Sequence, residues 1–391
     1  MRTIHLLGLS VAAAVACSGG RFNTFDGGTD ADVGDGGNIP GIDGGCAFCG
    51  VDASGGGDGS GGGCNPNPAN FDVPGNNCDD DGDGIVDNPQ GACDTGLPTA
   101  SPTAAQFAKA LGICPNNGDT WGVVSASYTQ GYQSNKAPNA QQYGTTAQFG
   151  TNVNSKARQG AVLGILSTGV AAAEDCGDGV FKGNVCTSTG AGAAPPGYPK
   201  AAKNCPGDNT ANDVVDLVLK VKVPANAKGF AFDFNFYSGE WPEYVCTDFN
   251  DSFVAWLTST AFAGNGGDFN ISFDSNKNPV SVNNAFFQVC SPPGLLCSNM
   301  QTAATCTLGN GELQGTGFYE PNDDCFTGKT DSGGGATGWL TTQAPATPGE
   351  TITLQFMIWN TGDEAFDSSV LLDNWQWQAT DTTVTTTRPP N

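Results

Sequence analysis

Residues 229 to 257 read GFAFDFNFYSGEWPEYVCTDFNDSFVAWL. Phe230, Phe232, Phe234 and Phe236 recur at a spacing of two, the period that turns one face of a pleated strand into a core. Ser238-Gly239 breaks the run. A loop follows with Glu240, Trp241, Pro242, Glu243, Tyr244 and Cys246, then Asp248, Phe249, Asn250 and Asp251, and Ser252 to Leu257 leaves it as a second apolar strand. Two buried strands thus frame a loop rich in hard oxygen donors, suited to calcium or to sugar hydroxyls. The same spacing also fits a hairpin whose carboxylates are merely solvated, and both readings stand at this level.

FDFNFYSGEWPEYV and FNDSFVAWL resemble the central motif of the choice-of-anchor L domain, which is carried by exported bacterial proteins with varied anchors. Upstream, AAQFAKALGIC (104–114), WGVVSASYT (121–129) and ILSTGVA (165–171) extend the resemblance. Downstream it runs through NISFD (270–274), SVNNAFF (281–287), GTGF (315–318) and the long segment 334–377, so that it spans about 101–378. The resemblance implies an exported surface protein and no catalytic activity. The loop departs from the family pattern at Gly239-Glu240-Trp241, where a second acidic residue and a Tyr would stand.

Outward from this motif the chain continues as β structure. Val215, Leu217, Leu219, Val221 and Val223 alternate on one face of a strand over 214–223. Further strands are expected at 121–129, 269–273, 280–287, 313–318, 338–343, 351–360 and 368–378, separated by Gly, Asn and Pro turns. The expected fold is mainly β, an antiparallel jelly-roll-like β-sandwich. A single short N-terminal helix over 101–114 is capped by Ser101, with Pro102 in its first turn and Phe107, Ala108 and Leu111 as its apolar stripe. Residues 131–155 read as polar loop. Trp359 to Asp363 and Asp367 to Asn374 place Asp363, Asp367, Asp373 and Asn374 at strand ends. They resemble the last strands of calcium-binding jelly rolls, although Asp and Asn also serve plain turns. With Glu240, Glu243, Asp248, Asn250 and Asp251 they form a possible second metal or ligand site. Trp241, Tyr244, Trp256, Trp339, Trp359, Trp375 and Trp377 are candidate sugar-stacking faces, with some of them needed in the core.

The strongest local signal lies upstream, at Asp79-Asp80-Asp81-Gly82-Asp83-Gly84-Ile85-Val86-Asp87. Asp79, Asp81 and Asp83 take the first, third and fifth positions of a calcium loop, Gly84 the turn, the Ile85 carbonyl the seventh and Asp87 the ninth. Gln90 stands where a bidentate Glu is usual, and Pro74 and Pro89 exclude flanking helices. The loop therefore resembles thrombospondin type 3 and short bacterial metal-binding motifs more than an EF-hand, and millimolar calcium affinity is expected. Cys78 and Cys93 flank it and are the preferred local disulfide.

At the N-terminus MRTIHLLGLSVAAAVAC is an apolar run too short to span a bilayer, and Ala14-Val15-Ala16-Cys17 resembles a bacterial lipobox. Cys17 would carry lipid, and Ser18 after it favours the outer membrane; a plain secretory signal is the alternative. Residues 18–64 are Gly, Asp and Ser with little to bury, a disordered tether. Cys46-Ala47-Phe48-Cys49 within it reads as a small disulfide with neighbours such as Cys64, and Cys176, Cys186 and Cys205 as the staples of a surface insertion over 174–212. The expected order is signal peptide and lipobox 1–17, tether 18–64, acidic calcium motif 65–96, sandwich 97–378 and polar, frayed tail 379–391.

Composition limits the function. The net charge of −24 disfavours nucleic acid and anionic lipid faces and suits divalent cations. The sole histidine, His5, lies in the leader, which excludes a Ser-His-Asp site at Ser167, His-ligated zinc and an imidazole base from the mature chain. The leading expectation is a non-catalytic, lipid-anchored surface protein with calcium as its ion, for adhesion or for binding a glycan or protein. A carboxylate enzyme on polysaccharide, with Glu240 and Glu243 as acid and base, and a purely structural envelope or matrix component are the alternatives.

Overall fold

The computed structural model describes residues 64–88, 90, 92–114, 120–173, 189–242, 244–283, 286–290, 306–319 and 334–389. The chain divides into Met1–Gly56 and a compact unit Gly57–Asn391. The first unit, with Cys17, Cys46 and Cys49 and most of the tether, lies outside the described residues, as do Glu243, Cys176 and Cys186.

The compact unit is a β-sandwich of two antiparallel sheets. Its strands are β1 (Gly122–Thr129), β2 (Tyr143–Thr146), β3 (Leu163–Ser167), β4 (Ala211–Lys222), β5 (Gly229–Ser238), β6 (Ser252–Thr258), β7 (Val280–Ser281), β8 (Val289–Cys290), β9 (Gly335–Ala336), β10 (Leu340–Pro345), β11 (Thr351–Thr361), β12 (Ser368–Gln378) and β13 (Thr385–Thr387). One sheet runs β1-β4-β11-β6-β7 and the other β13-β10-β5-β12-β3-β2, with β8 and β9 alongside β5. The phenylalanines of β5 and the alternating aliphatics of β4 face each other across the interior, all of them fully buried or nearly so. Burying a side chain of this size contributes about 1.5–3 kcal/mol, so these two columns dominate the choice of which face turns inward.

The helix α1 is shorter than the sequence implies, Ala104–Ala110, and Thr103 rather than Ser101 is its N-cap. The Thr103 side chain accepts the Gln106 N–H while the Gln106 side chain accepts the Thr103 N–H, a reciprocal capping box that outcompetes the simpler Ser-Pro start. Phe107, Ala108 and Leu111 enter the core as expected.

Several expected strands are not formed. The 313–318 segment is a 3₁₀ turn (Gly311–Leu313) that continues into turns, because Gly315 sits at φ 72° and Thr316 folds back on the Leu313 carbonyl. In 269–273 the Asn270 side chain accepts the Ala255 and Ser272 N–H groups, and the segment makes isolated bridges, Asn270 to Trp256 and Phe273 to Pro279, in place of a strand. Over 280–287 only β7 forms among the described residues. Conversely, the polar stretch 131–155 contains β2, paired with β3, and the tail contributes β13, paired with β10.

The expected Cys78–Cys93 bridge is not made. Cys78 pairs with Cys64 and Cys93 with Cys114, which ties the acidic segment backward to the tether and forward to the end of α1. Cys64 is therefore not a partner of the CxxC pair. Cys205 joins Cys246 in the central loop, and Cys290 joins Cys306. The acidic segment is also fixed by packing. Phe71 lies in the main core, and its N–H and carbonyl are both met by the Asn226 side chain, at 3.0 and 2.8 Å.

Candidate functional site

The acidic loop folds around its own carboxylates. Asp79 accepts the N–H groups of Gly82, Asp83 and Gly84 at 2.8, 3.1 and 2.9 Å. Gly82 and Gly84 hold φ of 77° and 93°, a wrap that L side chains resist. Asp81 accepts the Asp83 N–H, and Asp83 accepts the Ile85 N–H and the Asn88 amide. Asp87 turns away to hold the Asn76 and Asn77 N–H groups. Ile85 is exposed.

The residue that completes this group is Asp72, which the spacing did not disclose. One carboxylate oxygen each from Asp72, Asp79 and Asp81 lies within 4.8 Å of the others. Asp72 is buried and accepts the N–H groups of Asp80, Asp81 and Asn88, at 2.7, 3.2 and 3.0 Å. Burial is the main reason that the Asp72 and Asp81 carboxyls are raised above their ordinary range. Three hard oxygen donors, one seated by the core, fit a divalent cation such as calcium. Of the residues expected there, Asp79 and Asp81 converge, while Asp83, Ile85 and Asp87 serve the loop's own backbone or solvent.

The central loop is not a solvated hairpin tip. Glu240 is 1% exposed and Asp251 is fully buried, while Asp248 is exposed. The Glu240 carboxylate accepts the Asp251 N–H at 3.2 Å. Asp251 accepts the Thr361 N–H at 3.1 Å and the Ser368 hydroxyl at 2.6 Å, so it reaches from one sheet to the other. Asn250 is buried and accepts the Asn283 N–H. Trp241 belongs to the main core and stacks on Phe287 at 4.9 Å. Burial, with Asp251 beside it, holds the Glu240 carboxyl well above the usual range; burial does the same to Asp251, with Asp363 and Asp367 as further acidic neighbours. Asp363 is raised for the same reason, and Asp367 accepts the Thr168 hydroxyl.

Asp373 and Asn374 do not join this group. They sit five and six residues along β12 from Ser368, roughly 17–20 Å at strand rise. There Asp373 accepts the Arg158 N–H, and Asn374 donates to Asp233, which also pairs with the Arg158 guanidinium at 2.6 Å. Burial pushes the Asp373 carboxyl up to about 7. The tryptophans considered as sugar platforms (Trp241, Trp256, Trp339, Trp359, Trp375 and Trp377) are all buried and belong to the packing.

A polar cleft of about 660 Å³ opens elsewhere, lined by Asn154, Arg158, Glu312, Trp339 and Arg388 among others. The Arg158 guanidinium lies 5.4 Å over the Trp339 ring, and Arg388 donates to the Phe286 and Thr337 carbonyls. Glu312 accepts the Asn235 amide, with its carboxyl raised by burial. Two arginines from distant parts of an acidic chain gave no local sequence signal.

No helix among the described residues is long and apolar enough to cross a membrane. A comparison with curated proteins returns no match, and neither does one with solved structures. The family model for the choice-of-anchor L domain matches residues 113–376, well over half of the chain, around a β-sandwich that carries the central motif between β5 and β6, and the chain belongs to that family.

Proposed function

We propose that this chain is a non-catalytic surface protein anchored through lipid on Cys17 in the outer membrane. It holds calcium in the Asp72–Asp79–Asp81 loop and presents its sandwich for adhesion, through contact with an extracellular glycan or a surface protein. The family goes with surface-associated β-sandwich proteins, and the lipobox-like Ala14-Val15-Ala16-Cys17 supplies the anchor. The observation that carries the non-catalytic reading is the burial of Glu240. A glycosidase acid must touch the scissile oxygen, and this carboxylate is shut inside the sandwich, held on the Asp251 N–H. With the tryptophans buried, the Arg158–Arg388 cleft is the concave surface where a partner would dock.

The test is binding of the purified mature chain, in calcium, to immobilised extracellular polysaccharide and to envelope proteins of its host. Saturable binding is expected, weakened at least tenfold by Arg388→Ala, with no release of reducing ends. Reducing ends released by the wild type and lost in Glu240→Gln would overturn the non-catalytic reading. Absence of binding to every envelope fraction would overturn adhesion in favour of a structural role.

A further inference from the structure

The interior of the sandwich changes character at one end. Along β5 the inward column runs Phe232, Phe234, Phe236 and then Ser238; along β12 it runs back from Leu372 and Val370 to Ser368. On the opposing sheet the column of β6 runs back from Ala255 and Phe253 to Asp251, and that of β11 runs Leu354, Phe356, Ile358 and then Asn360. All four terminal residues are completely buried. The apolar core therefore ends in a sealed polar layer, over which Glu240 is held by the Ser238 hydroxyl and the Asp251 N–H.

Two features of this layer are unbalanced. Both oxygen and nitrogen of the Asn360 side chain are buried without a hydrogen-bond partner among the described residues, an arrangement that is destabilising unless a ligand meets them. Asn360 lies one residue past the Trp359–Ser252 pair that ends the β11–β6 ladder, and the next residue, Thr361, donates its N–H to the Asp251 carboxylate at 3.1 Å. Alternation along β11 puts Asn360 on the inward face of Ile358, and both Asn360 and Asp251 are completely buried. Second, Glu240 and Asp251 are buried in direct contact, the Glu240 carboxylate on the Asp251 N–H at 3.2 Å, and further acids, Asp363 and Asp367, lie near them. Adjacent buried carboxylates are stable only when protonated or when a cation lies between them.

We propose that this layer is a divalent-cation site in which Glu240 and Asp251 supply carboxylate oxygens and Asn360 supplies its amide oxygen. The donors are all oxygen, which selects calcium over softer metals. The Thr361 N–H and Ser368 hydroxyl bound to Asp251 then orient the ligand from behind, as supporting hydrogen bonds do in metal sites. The cation bridges the two sheets at the central motif and gives that loop a structural role, separate from the Asp72–Asp79–Asp81 loop.

The test uses the full mature chain, oxidised, carrying Asp79→Asn with Asp81→Asn so that the upstream loop is silenced. After passage through calcium-free buffer and addition of calcium alone, one calcium per chain is expected by elemental analysis. Chelator should then lower the melting temperature by about 5–10 °C at pH 8, the shift for ligand at a hundred times its dissociation constant. Added Asp251→Asn should abolish the bound calcium. Asn360→Leu decides the matter should Asp251→Asn not fold. With a cation present it should weaken calcium at least tenfold and lower the melt. With none it removes an orphaned amide and should raise the melt. No bound calcium in the loop-silenced chain, a melt indifferent to chelator, or a stabilising Asn360→Leu would overturn the proposal and leave the layer a proton-sharing acid pair.

Discussion

Phe232→Ala is expected to lower the melting temperature by about 10 °C or more, the largest effect of any single truncation considered. Phe232 is fully buried, packs edge-on against Phe356 at 5.0 Å, and stacks toward Trp375. It thereby joins β5 to both sheets. A phenylalanine-to-alanine truncation in such a position costs about 3–5 kcal/mol in lost transfer energy and residual cavity. For a domain of this size each kcal/mol moves the midpoint by roughly 2–4 °C. Val124→Ala, at a side chain 61% exposed on β1, serves as the control and should leave the melt unchanged. Differential scanning calorimetry of the two variants is the check, and equal melts would contradict the inward column of β5.

The second large effect is an inverted pH dependence. Burial raises Asp213 to about 6, Asp373 to about 7 and Asp216 to about 8, and raises Glu240 and Asp251 as well. A carboxyl whose folded pKa lies above its unfolded one binds its proton more tightly in the native state. Between the two values the native state carries more protons, so stability falls as pH rises through that window and is greatest below it. In chelator the melting temperature should therefore drop by about 10 °C or more between pH 5 and pH 8, opposite to a protein whose acids sit in salt bridges. Calcium should flatten the curve from its alkaline side, because ligands must lose their protons to bind. A melt in chelator that is flat or rises over this range would contradict the burial of these acids. Melting curves in matched buffers across the range make the comparison.

Much of the fold was legible because alternation survives translation into structure. The β4 and β5 columns follow from period two, and the expected bounds of β12 match the strand formed. The misses have local causes. Tyr143–Thr146 is too short and polar to show a period, and it becomes a strand only because Leu163–Ser167 pairs with it. The threonines of β13 gain their ladder from β10, a contact some forty residues away. At 313–318 only Leu313 and Phe318 are apolar, and the turn chemistry of Gly315 and Thr316 prevailed.

The candidate sites divide in the same way. The wrap of the loop around Asp79 is local, and so was readable. Asp72 joins it through a fold that buries Phe71, which no calcium-loop spacing encodes. In the central loop the acids were visible but their burial was not, since Glu240 and Asp251 look like ordinary surface residues until β11 and β12 close over them. The break in the β11 column at Asn360 was a signal in plain sight, a polar residue at an inward step of an otherwise apolar alternation. The cleft between Arg158 and Arg388 depends wholly on tertiary proximity.

The most direct test of the surface-anchored reading is the state of the mature N-terminus, by intact mass and by brief protease treatment of whole cells. The expected result is a chain beginning at Cys17 with the added mass of a lipid, removed from intact cells by the protease, and released to the soluble fraction by Cys17→Ala. A mature chain without lipid, or one that the protease reaches only after the outer membrane is opened, would contradict it.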